Sequence, residues 1–145
     1  MVKPRLVLDT NVVLDLFHFD DVATRSLRAA LTSGHVSVLV TDETWEELRR
    51  VLAYPEFKLG QAEQDAVLIR YRACSVRVDS VEPDTSLPRC TDPDDQKFLV
   101  LAASASAQGL VSKDHAVLKL RRLCASRFRI MSPHQAAGWL ADLSV

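Results

Sequence analysis

A chain of 145 residues, 48% hydrophobic and 26% charged, has the make-up of one ordinary globular domain that buries a core without structural disulfides or metal. A net charge of −1 excludes a bulk-basic nucleic-acid binder, so any such contact needs a local patch. Cys74, Cys90 and Cys124 form no CxxC pair, and His18, His35, His115 and His134 lack zinc-ligand spacing, which excludes a zinc module and points to reduced thiols. No signal-peptide core or membrane-length apolar run occurs, so the expected compartment is the cytoplasm.

In chain order, Arg5–Leu8 is the first predicted strand, a short apolar run of buried type. A helix over Val22–Thr32 follows, stopped by Ser33-Gly34, and then a second buried strand over Val36–Val40. The next helix begins near Thr41 or Asp42 and carries Trp45, Leu48, Val51 and Leu52 at helical spacing before Pro55 ends it. Gln61–Ala73 reads as a third helix, and Ser75–Val78 as an alternating, more exposed strand. Asp79–Thr91, with Pro83 and Pro88, is a loop and not a domain boundary. Asp94–Ala107 is apolar nearly all round and rich in Ala, the pattern of a central, close-packed helix. Short strands over Gly109–Ser112 and Phe128–Met131 follow, and Ser132-Pro133 opens a last helix. Strands alternating with helices imply an α/β chain: a three-layer α/β/α sandwich around a mainly parallel sheet of about five strands.

Four acids stand in unusual settings. Asp9 follows the first buried strand directly, and in open α/β sheets binding sites form beyond the carboxyl ends of strands. Asp114 repeats that situation two residues after Ser112. Taken singly, each is equally an N-cap for the helix that follows. In "CTDPDDQKFLVLAA", Asp92 before Pro93 reads as an N-cap, and Asp95 extends the apolar stripe of Phe98, Leu99 and Ala102. Asp94 claims a similar stripe through Phe98 and Leu101, so periodicity leaves open which of them points inward. Glu47 borders the buried face of its helix, next to Leu48 and one turn before Val51; alone it would pass as a solvated flank.

Taken together, these acids suggest a shared purpose. Carboxylates in one cleft repel and need a cation, and oxygen-only ligands suit hard Mg²⁺ or Mn²⁺. Such ions polarise phosphoryl oxygens and activate water, which makes a phosphodiester the natural substrate.

The ordered segments "LDTNVVLDLF", "EELRRVLAYPEF", "CTDPDDQKFLVLAA" and "GLVSKDHAVLKL" resemble the PIN-domain nucleases, most closely the VapC-like branch of toxin components of bacterial toxin–antitoxin pairs. The resemblance spans Leu6 to about Pro133 and implies one PIN-like domain over residues 1–145. Matched residue by residue, it implies that Asp9, Glu47, Asp95 and Asp114 are the catalytic, metal-holding acids. Asn11, Ser112 (where the family usually has Thr) and Asp92, ranked below Asp95, would support them.

The implied activity is Mg²⁺- or Mn²⁺-dependent endonucleolytic hydrolysis of RNA, with an antitoxin or a second copy of the chain as expected protein partners. A housekeeping RNA-processing nuclease and an inactive RNA- or protein-binding module are the alternatives. Arg49, Arg50, Lys113, Lys119, Arg121, Arg122, Arg127 and Arg129 are the candidate phosphate contacts, and the sequence assigns none of them.

Overall fold

The structure is a computed structural model that describes residues 3–79 and 81–143. Short runs of Val, Leu and Ile pair as β1 (Arg5–Leu8), β2 (Ser37–Val40), β3 (Ser75–Arg77), β4 (Gly109–Val111) and β5 (Arg129–Met131). They form one sheet in the order β3-β2-β1-β4-β5, with every neighbouring pair parallel. β1 lies in the middle, where Leu6 is opposite both Val38 and Gly109.

Successive side chains on a strand point to opposite faces, so each strand feeds two cores. Leu6, Leu8, Val38, Val40, Val111 and Met131 enter one, whereas Val7, Leu39, Leu110 and Ile130 enter the other. The helices α1 (Thr10–Phe17), α2 (Arg25–Thr32), α3 (Asp42–Leu52) and α4 (Gln61–Cys74) cover the first face. The second face is covered by α5 (Gln96–Ser104), α6 (His115–Leu118) and α7 (Arg121–Cys124). α8 (Pro133–Leu143) returns to the first face through Ala136 and Leu140. The result is the expected α/β/α sandwich. β1, β4 and β5 approach closely at Gly109, where a Cβ would stand 2.6 Å from Met131 Cε and 3.0 Å from Leu6 Cδ2.

Helix ends follow local chemistry. Thr41 and Thr44 cap α3 reciprocally, and its acids Asp42 and Glu43 lie in the first turn while Arg49 and Arg50 lie in the last, as the helix dipole favours. Ser132 and Gln135 exchange bonds at the start of α8.

Some expected boundaries move. The helix predicted over Val22–Thr32 is a 3₁₀ turn, Val22–Thr24, capped by Asp21, with α2 beginning only at Arg25. The helix predicted over Asp94–Ala107 opens as a 3₁₀ turn, Pro93–Asp95, and ends at Ser104, short of a left-handed Ser106. α5 lies in an outer layer against β1 and β4, so its burial is one-sided instead of central. The Asp79–Thr91 stretch is irregular as expected, and Ser80 within it lies outside the described residues.

Because all strands run parallel, their carboxyl ends share one edge of the sheet. The chain order reverses between β1, which leads outward to β2, and β4, which starts on the other side. A crevice at such a reversal is where α/β sheets place their sites.

Candidate active site

Asp9 follows β1 at that crevice and is only 3% exposed. Its carboxylate accepts the Asn11 backbone N–H at 3.0 Å, which caps α1, and the Ser112 hydroxyl at 2.7 Å. Ser112, fully buried at the end of β4, also accepts the Asp114 backbone N–H at 3.0 Å. One hydroxyl thus ties the two strand ends together. The Asn11 side chain is exposed, and its backbone supplies the contact. Burial raises the Asp9 pKa, the Ser112 and Asn11 bonds oppose that rise, and the charges of Asp114 and Glu47 add to it.

Both readings of the acids hold at once. Asp114 caps α6 by accepting the Ala116 N–H at 2.9 Å, and Asp92 caps the 3₁₀ turn by accepting the Asp94 N–H at 3.1 Å. Yet one carboxylate oxygen from each of Asp92, Asp95 and Asp114 lies within 4.8 Å of the other two. No histidine or cysteine belongs to this group. Asp94 is exposed, so within the DPDD stretch it is Asp95 that turns inward.

Asp95 is the most strained acid of the set. Its Oδ2 is buried without a hydrogen-bond partner. Its pKa is pushed up to about 8, first by burial, then by a carboxyl–carboxyl hydrogen bond with Asp114 and by the charges of Asp9, Asp92 and Asp114. Among the described residues no ion pair reaches it.

Glu47 is treated differently. It sits on α3, with Oε1 2.6 Å from the Lys97 ammonium of α5 and Oε2 accepting the Thr10 hydroxyl at the start of α1. Both side chains of the ion pair are largely buried, at 15% and 13% exposure. Lys97 also donates to the Asp94 carbonyl, so α5 is pinned to its own first turn and to α3 at one point. Glu47 therefore flanks the acidic trio with its charge already matched, while still acting on Asp9.

Sequence reasoning passed over Lys97, Thr10, Asp15 and Gln96. Lys97 carried a usable signal, because it is the one charged residue on α5. Asp15, buried on α1, pairs with Lys113 at 2.6 Å; Lys113, a candidate phosphate contact in the sequence, is engaged in this bridge beside Asp114. Gln96 accepts the Cys90 N–H at 2.8 Å and donates to the Pro88 carbonyl at 3.2 Å, which fixes the irregular loop against the DPDD turn. Other candidate cations also have structural duties: Arg121 bonds the Ile130 carbonyl and Gln135, and Arg127 bonds Asp84 and Ser86.

A concavity of about 1120 Å³ lies elsewhere. It runs from Gln108 and Arg129 to Trp139 along the β5 edge and includes none of the acids. Chemistry favours the carboxyl-edge crevice, where three carboxylates converge and a buried oxygen lacks a hydrogen-bond partner.

The PIN-domain family model matches residues 5–116, well over half of the chain. Comparison with curated proteins returns no match. Among solved structures, VapBC2 from Rickettsia felis, bound to a DNA fragment from its promoter, is similar at a TM-score of 0.60 and 11% identity, covering 88% of this chain and 98% of that one. PAE2754 from Pyrobaculum aerophilum is similar at a TM-score of 0.60 and 15% identity, covering 97% and 90%. At such identities these two likenesses concern the fold, whereas the family match extends across β1, β4 and every acid described above. The chain belongs to the PIN-domain family.

Proposed function

We propose that the chain, as one PIN-like domain over residues 1–145, is a metal-dependent endoribonuclease and the toxin of a toxin–antitoxin pair. PIN domains are generally nucleases, and that coarser activity follows from the family. The observation that carries the finer reading is the Asp92–Asp95–Asp114 cluster with its buried, unpartnered Asp95 oxygen. An all-oxygen donor set that raises its own proton affinity fits a hard divalent cation, Mg²⁺ or Mn²⁺. Asp95, Asp114 and Asp9 would hold it directly, with Asp92 and Glu47 acting directly or through water, since Mg²⁺ takes few carboxylates. When bound, such an ion neutralises phosphoryl charge and lowers the pKa of water.

The chain's own residues do the positioning. Ser112 and the Asn11 N–H hold both oxygens of Asp9, so this carboxylate meets its partner without rotamer search. Ser112 also sets the backbone of Asp114, and the Gln96 clamp sets the turn that presents Asp95. Lys97 holds the Glu47 carboxylate in place beside the trio.

An antitoxin partner for this chain is proposed from the resemblance of its ordered motifs to VapC-like toxins, and the likeness of its fold to VapBC2 supports that reading. A homodimer is a further proposal, since twofold dimers are the commonest soluble oligomers. No helix among the described residues is long and apolar enough to cross a membrane, and the cytoplasm is the proposed compartment.

RNA cleavage with added Mg²⁺ or Mn²⁺ against an EDTA control tests the reading, with Asp9→Asn alongside. Asn still caps α1, so the variant folds with a stability change of a few tenths of a kcal/mol from capping, about as expected for such a swap. It loses the metal-induced rise in melting temperature and the cleavage. Cleavage that persists in EDTA, or in Asp9→Asn at the parental rate, would sink the proposal.

A further inference from the structure

Away from the acids, the molecule exposes aromatic rings where a soluble surface usually does not. Phe19 is 51% exposed and Tyr54 is 43% exposed. They belong to a row of four rings. Tyr54 and Phe57 lie nearly parallel with centroids 6.4 Å apart, Phe57 is 6.0 Å from Phe19, and Phe19 is 4.8 Å from His18.

The row starts where a stripe on α3 ends. At 100° per residue, Glu43, Glu47 and Arg50 fall on one flank of the helix, beside the buried face defined by Leu48 and Leu52. Tyr54 follows two residues past the helix end, its N–H bonded to the Val51 carbonyl at 3.0 Å. Glu47 marks the active-site end of that stripe through its contacts with Thr10 and Lys97. With a rise of 1.5 Å per residue, Arg50 is about 4.5 Å and the last helical residue, Leu52, about 7.5 Å further along the axis, with Tyr54 just beyond. Arg50 is exposed, and among the described residues no carboxylate pairs with it. Lys58, exposed and likewise unpaired among the described residues, adjoins Phe57 in a left-handed turn. Glu43, the other acid of the stripe, lies on the far side of Glu47 from the rings.

We infer that this flank, Arg50 followed by Tyr54, Phe57 and Phe19, is the track for the single-stranded RNA on one side of the scissile phosphate. The inference rests on the nuclease reading of the acidic site and adds the path of the substrate to it. An unmatched guanidinium one turn from the cleft suits the next phosphate along the strand. Flat rings beyond it suit unstacked bases, which every nucleotide presents regardless of sequence. The length of α3 from Glu47 to its end corresponds to about two nucleotides at the stacked spacing of about 3.4 Å. Charge complementarity favours this occupant over a protein. The rings here have the cations Arg50 and Lys58 beside them; of the acids at the patch, Asp20 is already paired with Arg25 and Arg28, which leaves Glu56 as the opposing charge. The exposed aliphatics Val22, Ile69 and Leu123 lie on other elements.

The test is binding of the full chain to a short fluorescent single-stranded RNA, in EDTA so that the strand stays intact. Tyr54→Ala and Phe19→Ala each weaken binding roughly five- to hundredfold, while Tyr54→Phe, which keeps the ring, binds like the parent. Arg50→Gln flattens the slope of log affinity against log salt by about 0.7, and Tyr54→Ala leaves that slope unchanged. Abasic sites in the stacked part of the strand abolish the difference between Tyr54→Ala and parent. All variants retain the parental Mn²⁺-induced shift in melting. If the parent binds and cleaves RNA but these variants bind it equally well, the track is wrong and the nuclease reading stands. If the parent neither binds nor cleaves RNA, both fall together. Variants that lose self-association in light scattering while binding RNA normally would reassign the rings to a protein interface and overturn the track.

Discussion

Two groups of carboxylates share one edge of the sheet, and the chain treats them in opposite ways. Glu47 is matched by the Lys97 ammonium and the Thr10 hydroxyl. Asp92, Asp95 and Asp114 face one another with no ion pair among the described residues, and one buried Asp95 oxygen has no hydrogen-bond partner. A matched acid in a largely buried setting is tied to the fold, because removing its partner would leave an uncompensated charge. An unmatched trio costs the fold something, and such cost concentrated at one place is the physical mark of a site shaped for a ligand. Position alone does not separate the two groups. What separates them is whether the protein supplies the counter-charge itself.

The sharpest way to break that contrast is to remove one unmatched acid. Asp95→Asn should lower metal-dependent RNA cleavage on the order of a hundredfold or more, while stabilising the metal-free chain at alkaline pH by about 1–3 kcal/mol. Denaturant melts and cleavage rates on the same sample check both directions. A loss of activity accompanied by destabilisation would mean that Asp95 is structural.

The matched group should respond with the opposite sign. Lys97→Met leaves Glu47 without its ammonium and should cost about 2–4 kcal/mol of stability. Adding Glu47→Gln should recover most of that loss, which a double-mutant cycle would measure. If the second change recovers nothing, the pair is not a coupled unit.

The pH dependence sharpens the comparison further. In the folded chain Asp95 stays protonated up to about pH 8, against an ordinary value of 3.8 when unfolded. Between those values the folded state holds the extra proton, so metal-free stability falls as pH rises. Melting temperatures in EDTA should therefore increase on going from about pH 8.5 to about pH 5. Saturating Mn²⁺ should flatten or reverse the trend, because cation and protons compete for the same oxygens. A flat profile in EDTA would remove the repulsion from the account.

The smallest effect should come from the neighbouring pair of Lys113 and Asp15. Asp15 is 10% exposed but its lysine is 49% exposed, so solvent weakens the bond. Lys113→Gln should cost about 1 kcal/mol or less and shift melting by a few degrees at most. A loss as large as that of Lys97→Met would show that this latch, beside Asp114, matters as much as the one on Glu47.

Much of this was readable from the chain because it is written locally. Arg5–Leu8 could only be a buried strand, and an acid directly after it had to lie at a strand's carboxyl end. The DPDD stretch announced its cap through Asp92 and Pro93. The division of labour inside that stretch was not readable. Asp94 and Asp95 share apolar stripes equally well, and only the 3₁₀ geometry of Pro93–Asp95 turns one outward and the other in. Helix α1 was equally obscure in extent, since Val12 to Phe17 is apolar apart from Asp15 and buried throughout, which leaves no polar face to read.

By itself, then, the sequence determined the order of elements, the two-faced strands and the acids that follow β1 and β4, because each depends on residues within one helical turn or one strand of each other. Only the tertiary structure decided which acids keep their charge unanswered. Lys97 reaches Glu47 from α5, and Ser112 reaches Asp9 from β4. Electrostatic energy depends on separation in space and on burial, and neither is a function of separation along the chain. The same carboxylate is a cap, a structural ion or a ligand according to what the fold brings within about 4 Å of it.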